Sequence, residues 1–322
     1  MKTFAFAAVI GAASALDFDY LSYMAKFNKV VTEVEEFAMR VENFKFVHQW
    51  IEKHNASGAS WKAAHNQFSD WTEAEYKQLL GYVHSDREEL NIKVFEPTNA
   101  DGVNWVDAGA VTPVKDQGQC GSCWAFSSTG ALEGAHYIAS GELLSFSEQQ
   151  LVDCAYITYG NFGCNGGMQA RAFRYLKTHK AELESVYPYF SGTTKAKGDC
   201  AFDEASTTAV DVSSYTNVTA DDVAQMKAAL EQQPLAVVIE ADQLVFQTYS
   251  SGILNSPECG TNLDHAVLAV GWGVEGDQEY WLVKNSWGTT WGDQGYIKMA
   301  ITGDDAGICG VQSMPLYPTT NV

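Results

Sequence analysis

Residues 117–124 read Gln-Gly-Gln-Cys-Gly-Ser-Cys-Trp, and the two cysteines three positions apart admit three readings. A Cys-x-x-Cys pair can carry thioredoxin-like redox chemistry or supply half of a zinc site. The zinc reading lacks a second such pair or a nearby His-x-x-x-His, and the redox reading lacks a compact βαβ setting. In the third reading Cys120 is bridged elsewhere and Cys123 is a nucleophile. Ser122 to Ala139 is the best helix candidate in this part of the chain, with Ser122 as N-cap, Gly141 as stop and Phe126, Leu132, Ala135 and Ile138 at helical spacing. Cys123 then sits in the first turn, where the helix dipole favours a thiolate.

On the C-terminal side, PLAVVIEA from Pro234, HAVLAVGWG from His265, EYWLVKNSWG from Glu279 and GYIKMAI from Gly295 are short β-rich runs punctuated by glycine. A helix-rich half followed by a β-rich half predicts an α+β protein of two lobes. On the N-terminal side, Val34, Phe37, Val41, Phe44, Val47 and Ile51 recur every three or four residues and predict one face of a long helix. A second helix is expected around Thr72 to Leu80, with Thr72 as N-cap and Glu75 completing a capping box. Glu88 to Gly102 reads as an extended linker. The chain therefore divides into residues 1–15, a small helical prosegment at 16–98 and a main body at 99–322.

The first of these is an address. Lys2, the apolar run Phe4 to Ile10 and the small-x-small triplet Ala13-Ser14-Ala15 match a secretory signal peptide, too short to span a bilayer. Entry into the secretory pathway makes Asn55-Ala56-Ser57 and Asn217-Val218-Thr219 candidate glycosylation sites. Of the 322 residues 46% are hydrophobic and 19% charged, enough apolar surface for a packed core. The net charge of -20 would repel phosphate backbones and anionic lipid, so neither nucleic acid nor a membrane surface is expected as a partner.

None of the seven cysteines precedes Cys120. In an oxidising compartment an odd count suggests three disulfides and one thiol, and spacing alone leaves on the order of 105 such arrangements.

QGQCGSCWAF, LDHAVLAVGWG and YWLVKNSWGTTWGDQGYIKM resemble the three active-site segments of the papain family of cysteine proteases, in its cathepsin L-like subgroup. The prosegment agrees. Glu36, Arg40, Phe44, Val47, Ile51 and Asn55 follow the E-x3-R-x3-F-x2-N-x3-I-x3-N spacing of cathepsin L-like propeptides, with Val47 in place of Asn. Ala64, Asn66, Phe68 and Asp70 follow G-x-N-x-F-x-D, with Ala in place of Gly.

The resemblance implies a papain-like fold, with a helical lobe, a β-barrel-like lobe, an active-site cleft between them and an inhibitory N-terminal helical propeptide. It implies a cysteine endopeptidase acting through a thiolate–imidazolium pair, Cys123 and His265, without metal or cofactor. Asn285 would orient His265, Trp287 would shield their hydrogen bond, and Gln117 would offer its amide to the oxyanion. The family's disulfides are Cys120–Cys164, Cys154–Cys200 and Cys259–Cys309, leaving Cys123 free. Substrate would lie along Gly121, Gly166, Gly167 and Asp264. Met168, Gln169, Val238, Leu263 and Met314 would form a hydrophobic pocket for the second residue upstream of the scissile bond, with Gln169 its main modifier.

No insertion resembling the His-rich occluding loop of cathepsin B is present, which favours endopeptidase action. The prosegment is expected to cross the cleft opposite to substrate and to be removed near Phe95 to Asp101. The implied partners are protein and peptide substrates, the chain's own prosegment and cystatin-type inhibitors, with the enzyme a monomer. The acidic main body suggests a lysosome or digestive vacuole, with secretion as the alternative. A protease-like binding protein without turnover, or an oxidoreductase using Cys120 and Cys123, would be the rival readings.

Overall fold

The computed structural model describes residues 15–85, 91–203, 205 and 210–321. The signal peptide expectation lies almost wholly outside the described residues. The prosegment folds as α1 (Ala15–Lys26), α2 (Val34–Asn55), β1 (Trp61–Ala63), α3 (Glu73–Lys77) and β2 (Ile92–Lys93). Only the second half of the apolar face of α2 is buried, at Val41, Phe44, Val47 and Ile51, whereas Val34 faces solvent. Tyr20 and Tyr23 of α1 close over Phe44 and make a small separate core. The capping box forms: Thr72 accepts from the Glu75 N–H, and the Glu75 carboxylate accepts from the Thr72 N–H. The helix ends at Lys77 and not at Leu80, because residues beyond it turn into the cleft.

Ten strands form one sheet. The others are β3 (Val103–Asn104), β4 (Asp211–Val218), β5 (Leu235–Ile239), β6 (Tyr249–Leu254), β7 (His265–Glu275), β8 (Gln278–Lys284), β9 (Tyr296–Ala300) and β10 (Leu316–Asn321). Their order is β1-β6-β9-β8-β7-β5-β10-β4-β2, with β3 added on β7. The prosegment thus supplies the strand at each end, β1 antiparallel to β6 and β2 parallel to β4. An exposed edge is a template for unwanted pairing, and here both edges are covered by the same segment. The expected linker is therefore partly strand: Asn91 and Phe95 bond to Asn217 and Gln225 on either side of β2.

Strand period explains the two lobes. Leu235, Val237, Ile239, Val267 and Ala269 face one core, with Trp281 and Val283, and prosegment residues Trp61, Phe68, Tyr76 and Leu79 join it. Ala236, Val238, Ala266, Leu268 and Val270 face the other core, with α4 (Cys123–Ser140), α5 (Glu148–Cys154) and α6 (Gln169–Leu176). Strands buried on both faces read as continuous apolar runs, which is why β5 and β7 lack polar alternation. Helix α4 ends at Gly141, whose φ of 78° suits glycine. Ser122 stands at the N-cap position, but its hydroxyl meets Tyr189 and caps nothing. Cys120 is bonded to Cys164, Cys154 to Cys200 and Cys259 to Cys309, and Cys123 is free and buried.

Candidate active site

The first residue of α4 and the first residue of β7 are Cys123 and His265, both fully buried at the seam between the lobes. Antiparallel pairing of β7 with β8 brings Asn285, just past the end of β8, beside His265. Asn285 Oδ1 accepts from the Ser286 N–H at 2.8 Å and lies 2.8 Å from His265 Nε2, so that nitrogen carries the proton and donates. The Trp287 ring lies 4.7 Å from the imidazole, and Phe68, Tyr76, Phe246 and Trp291 pack edge-on around that indole. The Asn285–His265 bond is thereby enclosed by aromatic rings, two of them from the prosegment.

The remaining side-chain donor of the site is Gln117. Its Nε2 donates to the Leu79 carbonyl at 2.8 Å and to the Cys120 carbonyl at 2.9 Å, while Ser286 Oγ donates to Oε1 at 2.7 Å. A prosegment carbonyl therefore holds the amide expected for a substrate oxyanion. The next residues continue across the cleft. Gly167 N–H donates to the Gly81 carbonyl and the Val83 N–H donates to the Gly167 carbonyl, each at 2.9 Å, which makes Tyr82 and Gly167 a parallel bridge. The Tyr82 N–H donates to the Asp264 carbonyl at 2.9 Å. At Gly81 a Cβ would fall 1.9 Å from the Gly121 carbonyl oxygen, so only glycine lets the backbone pass this close.

Tyr82 enters the pocket expected for substrate. It is buried in one cluster with Met168 and Val238, edged by Leu263 and Met314, and its hydroxyl donates to Met314 Sδ at 3.1 Å. Gln169 follows Met168. It is buried at the start of α6, and its Nε2 donates to Ser127 Oγ at 3.2 Å and to the Val237 carbonyl at 3.1 Å. With its amide tied to other elements, Gln169 is held firmly at the start of α6. Gly166 lies against the prosegment too, a Cβ there meeting Val83 at 2.7 Å.

Burial also sets the charges. It pushes the Cys123 thiol up to about 11, against backbone hydrogen bonds from Ala266, Gly81 and Trp124. It pushes His265 down to about 4, against the bond to Asn285. His265 Nδ1 has no hydrogen-bond partner. With the prosegment excluding water, burial thus works against the charged form of each group in the closed chain. Asp264 is pushed up to about 7 by burial, with Asp242 and Glu240 adding to it and the Ala241 N–H opposing.

The two sequons have bonded surroundings. Asn217 is 7% exposed within β4, and its Oδ1 accepts from Asn91 N–H. Asn55 Nδ2, the atom a glycan would take, donates to the Ala63 carbonyl at 2.8 Å while its Oδ1 accepts from Ala63 N–H. Among the described residues no group of three or more His, Cys, Asp or Glu side chains is placed to hold a metal ion, and no helix is long and apolar enough to cross a membrane.

Sequence reasoning missed Leu79, Gly81 and Tyr82 as the occupants of the cleft, Ser286 as the partner of Gln117, and Gln67, which donates to the Trp287 carbonyl. These partners lie 38 to 220 residues apart in sequence, and no local pattern marks them.

Residues 99–319 match the profile of the papain family cysteine proteases, and residues 20–76 match that of the cathepsin propeptide inhibitor domain. Digestive cysteine proteinase 2 of Homarus americanus is 41% identical over 309 residues, 92% of this chain and 93% of that protein. Cathepsin L of Sarcophaga peregrina is 44% identical over 305 residues, 89% of this chain and 88% of that one. Among solved structures, digestive procathepsin L 3 from the Tenebrio molitor larval midgut superimposes with a TM-score of 0.85 at 33% identity, covering 95% of this chain and 100% of that one. A recombinant stem bromelain precursor gives 0.85 at 34% identity, over 95% and 99% of the two chains.

Proposed function

The chain belongs to the papain family of cysteine proteases and is a cysteine endopeptidase made with an inhibitory propeptide; from this premise we propose how its residues divide the work. Once the cleft is cleared, water and mutual attraction favour the charged pair, Cys123 thiolate and His265 imidazolium. Sγ attacks the scissile carbonyl carbon, and the oxyanion takes hydrogen bonds from Gln117 Nε2 and the Cys123 N–H. His265 gives its proton to the leaving amine as the C–N bond breaks, leaving a thioester. Water attacks that thioester while His265 takes its proton, and the carboxylic acid leaves with Cys123 restored. Asn285 holds the imidazole in the tautomer that keeps Nδ1 for the thiol, and Trp287 keeps water from their bond.

The observation that carries this reading is the path of Leu79 to Val83, which engages Gln117, Gly167 and the Met168–Val238 pocket together. A segment that satisfies every recognition element at once supports those elements as the substrate site. Its parallel bridge to Gly167 is the reverse of the pairing expected of substrate, which accounts for a bound peptide that is not cut. Tyr82 supports a hydrophobic, aromatic-accepting pocket for the second residue upstream of the scissile bond. The maturation cut falls beyond Phe95, since Ile92 to Phe95 is bonded to β4 and Gln225. The catalytic part then begins near residue 99. It works as a monomer on proteins and peptides and is open to cystatin-type inhibitors.

The digestive relatives and the net charge of -20 favour a secretory route to an acidic digestive compartment, a vacuole or gut lumen, over a strictly lysosomal one. The test is labelling of the acid-matured protein by an epoxide peptide, with mass mapping and a peptidase assay against Cys123→Ala. One label on Cys123 and an inactive variant are expected. A Cys120–Cys123 disulfide, or activity retained in the variant, would overturn the mechanism. A peptide library cleaved better with Arg than with Phe or Leu at the pocket position would overturn the specificity.

A further inference from the structure

Beneath the active site, between the lobes, lies a cavity of about 20 Å³. Phe126, Glu133, Glu148, Leu268, Lys284 and Asn285 are among the residues that line it. Two of its polar atoms are buried without a partner, Glu148 Oε2 and Asn285 Nδ2. Each belongs to a side chain whose other end is fully used. Glu148 Oε1 accepts from Lys115 Nζ at 2.7 Å and from Thr129 Oγ1 at 2.6 Å. Asn285 Oδ1 takes His265 and the Ser286 N–H. The nearby charges are committed as well: Lys115 also meets Glu133, and Lys284 Nζ donates to Thr112.

A carboxylate oxygen and an amide N–H, both desolvated and both facing one polar cavity, are costly unless something joins them. The space is about what one water needs, and water can accept from the amide while bonding to the carboxyl oxygen of Glu148. Glu148 belongs to α5, which packs on α4 beneath Cys123, and Thr129 of α4 bonds it directly. Asn285 belongs to the sheet lobe with His265. A bridge between them therefore ties the lobe that carries the nucleophile to the lobe that carries the base.

We propose that one water molecule occupies this cavity, accepting from Asn285 Nδ2 and hydrogen-bonded to Glu148 Oε2, and that Glu148 is thereby a positioning residue for the Cys123–His265 pair. The proposal rests on the role given to Asn285 above. By tying the second end of the amide, the bridge holds the plane of Asn285, and with it the imidazole, at a set distance from the thiol. Binding of the peptide chain along Gly167 does not pass through it.

The test is a double-mutant cycle in the acid-matured enzyme with Glu148→Gln and Asn285→Ala, read as kcat and KM separately. A second arm is a crystal structure of the full-length Cys123→Ala zymogen at a resolution that shows ordered water. The expected result is about a fivefold loss of kcat in Glu148→Gln at unchanged KM, absent when Asn285 is already Ala. A density peak within hydrogen-bond distance of Glu148 Oε2 and Asn285 Nδ2 is expected in the second arm. An equal loss in both backgrounds, or an empty cavity, would overturn the proposal. If Glu148→Gln fails to fold, the crystal structure decides alone. Failure of the catalytic reading is separable, because Asn285→Ala alone would then leave kcat unchanged.

Discussion

At Gln117 one amide serves two states. It holds Leu79 in the zymogen, and in the proposed mechanism it serves the oxyanion once the prosegment leaves. Gln117→Ala should therefore lower kcat of the mature enzyme by about 10²- to 10³-fold with little change in KM. Steady-state kinetics on one small substrate checks this, and a loss confined to KM would refute it. Cys123 makes the complementary case. With its thiol pushed up to about 11 by burial, the intact zymogen should resist iodoacetamide at neutral pH, whereas the matured enzyme reacts within minutes. Equal alkylation of the two forms would show that the prosegment does not silence the thiol. Gly81→Ala should narrow that difference, because its Cβ would press on the Gly121 carbonyl and lift the segment from the site. Cys123, His265 and Asn285 could be singled out in the sequence because the flanks that resemble the family's motifs are local. The role of Gly81 was not, since nothing near it in sequence says that a backbone 40 residues away needs the space.

The element that decides latency is the strap formed by α1, α2 and the loop at Asp70. Asp70 is fully buried and accepts from Lys29 at 2.7 Å and from the Tyr20 and Tyr23 hydroxyls. Arg40 likewise joins Glu36 on its own helix to Glu75 of the capping box. Asp70→Ala leaves two buried hydroxyls without their acceptor and a part-buried ammonium with only the Gln67 carbonyl, and should cost about 3 kcal/mol. Urea melts of the Cys123→Ala zymogen, followed by a probe in the prosegment, measure it. A loss below about 0.5 kcal/mol would mean that Lys29 reaches solvent instead. The spacing of Glu36, Arg40 and Asp70 could be read in the sequence. That they form one ionic frame follows only from the packing of α1 on α2.

Over the whole molecule, pH decides between the closed and open forms. His265 and His65 are both held down to about 4, in each case chiefly by burial, with His48 and Lys26 adding to it at His65 and the Asn285 bond opposing at His265. His65 stacks on Phe44 and meets His48 ring to ring at 3.0 Å. A released histidine titrates near 6.5, so below that value the open form binds protons that the closed form refuses. Closure is fully stable above about 6.5 and weakens as pH falls toward 4. Asp264, pushed up to about 7, works in the opposite sense, but it is one group against two. The melting temperature of the Cys123→Ala zymogen should therefore fall from pH 7 to pH 4.5, and His65→Phe should make the slope shallower. A flat profile would refute this.

The family and its cysteine-protease chemistry were legible from the linear chain through its resemblance to known motifs, because Cys123, His265 and Asn285 each sit in a short stretch whose flanks match that family. The two lobes were legible as well, from helical spacing before residue 200 and apolar strands after it. Tertiary structure alone decided the rest. It decided that both sheet edges are covered by the prosegment, that Tyr82 is buried with Met168 and Val238, that the Gln169 amide is tied to Ser127 and Val237, and that burial works against charge on Cys123 and His265. Each of these depends on contacts between residues far apart in sequence and on the removal of water, and neither leaves a periodic mark on the chain.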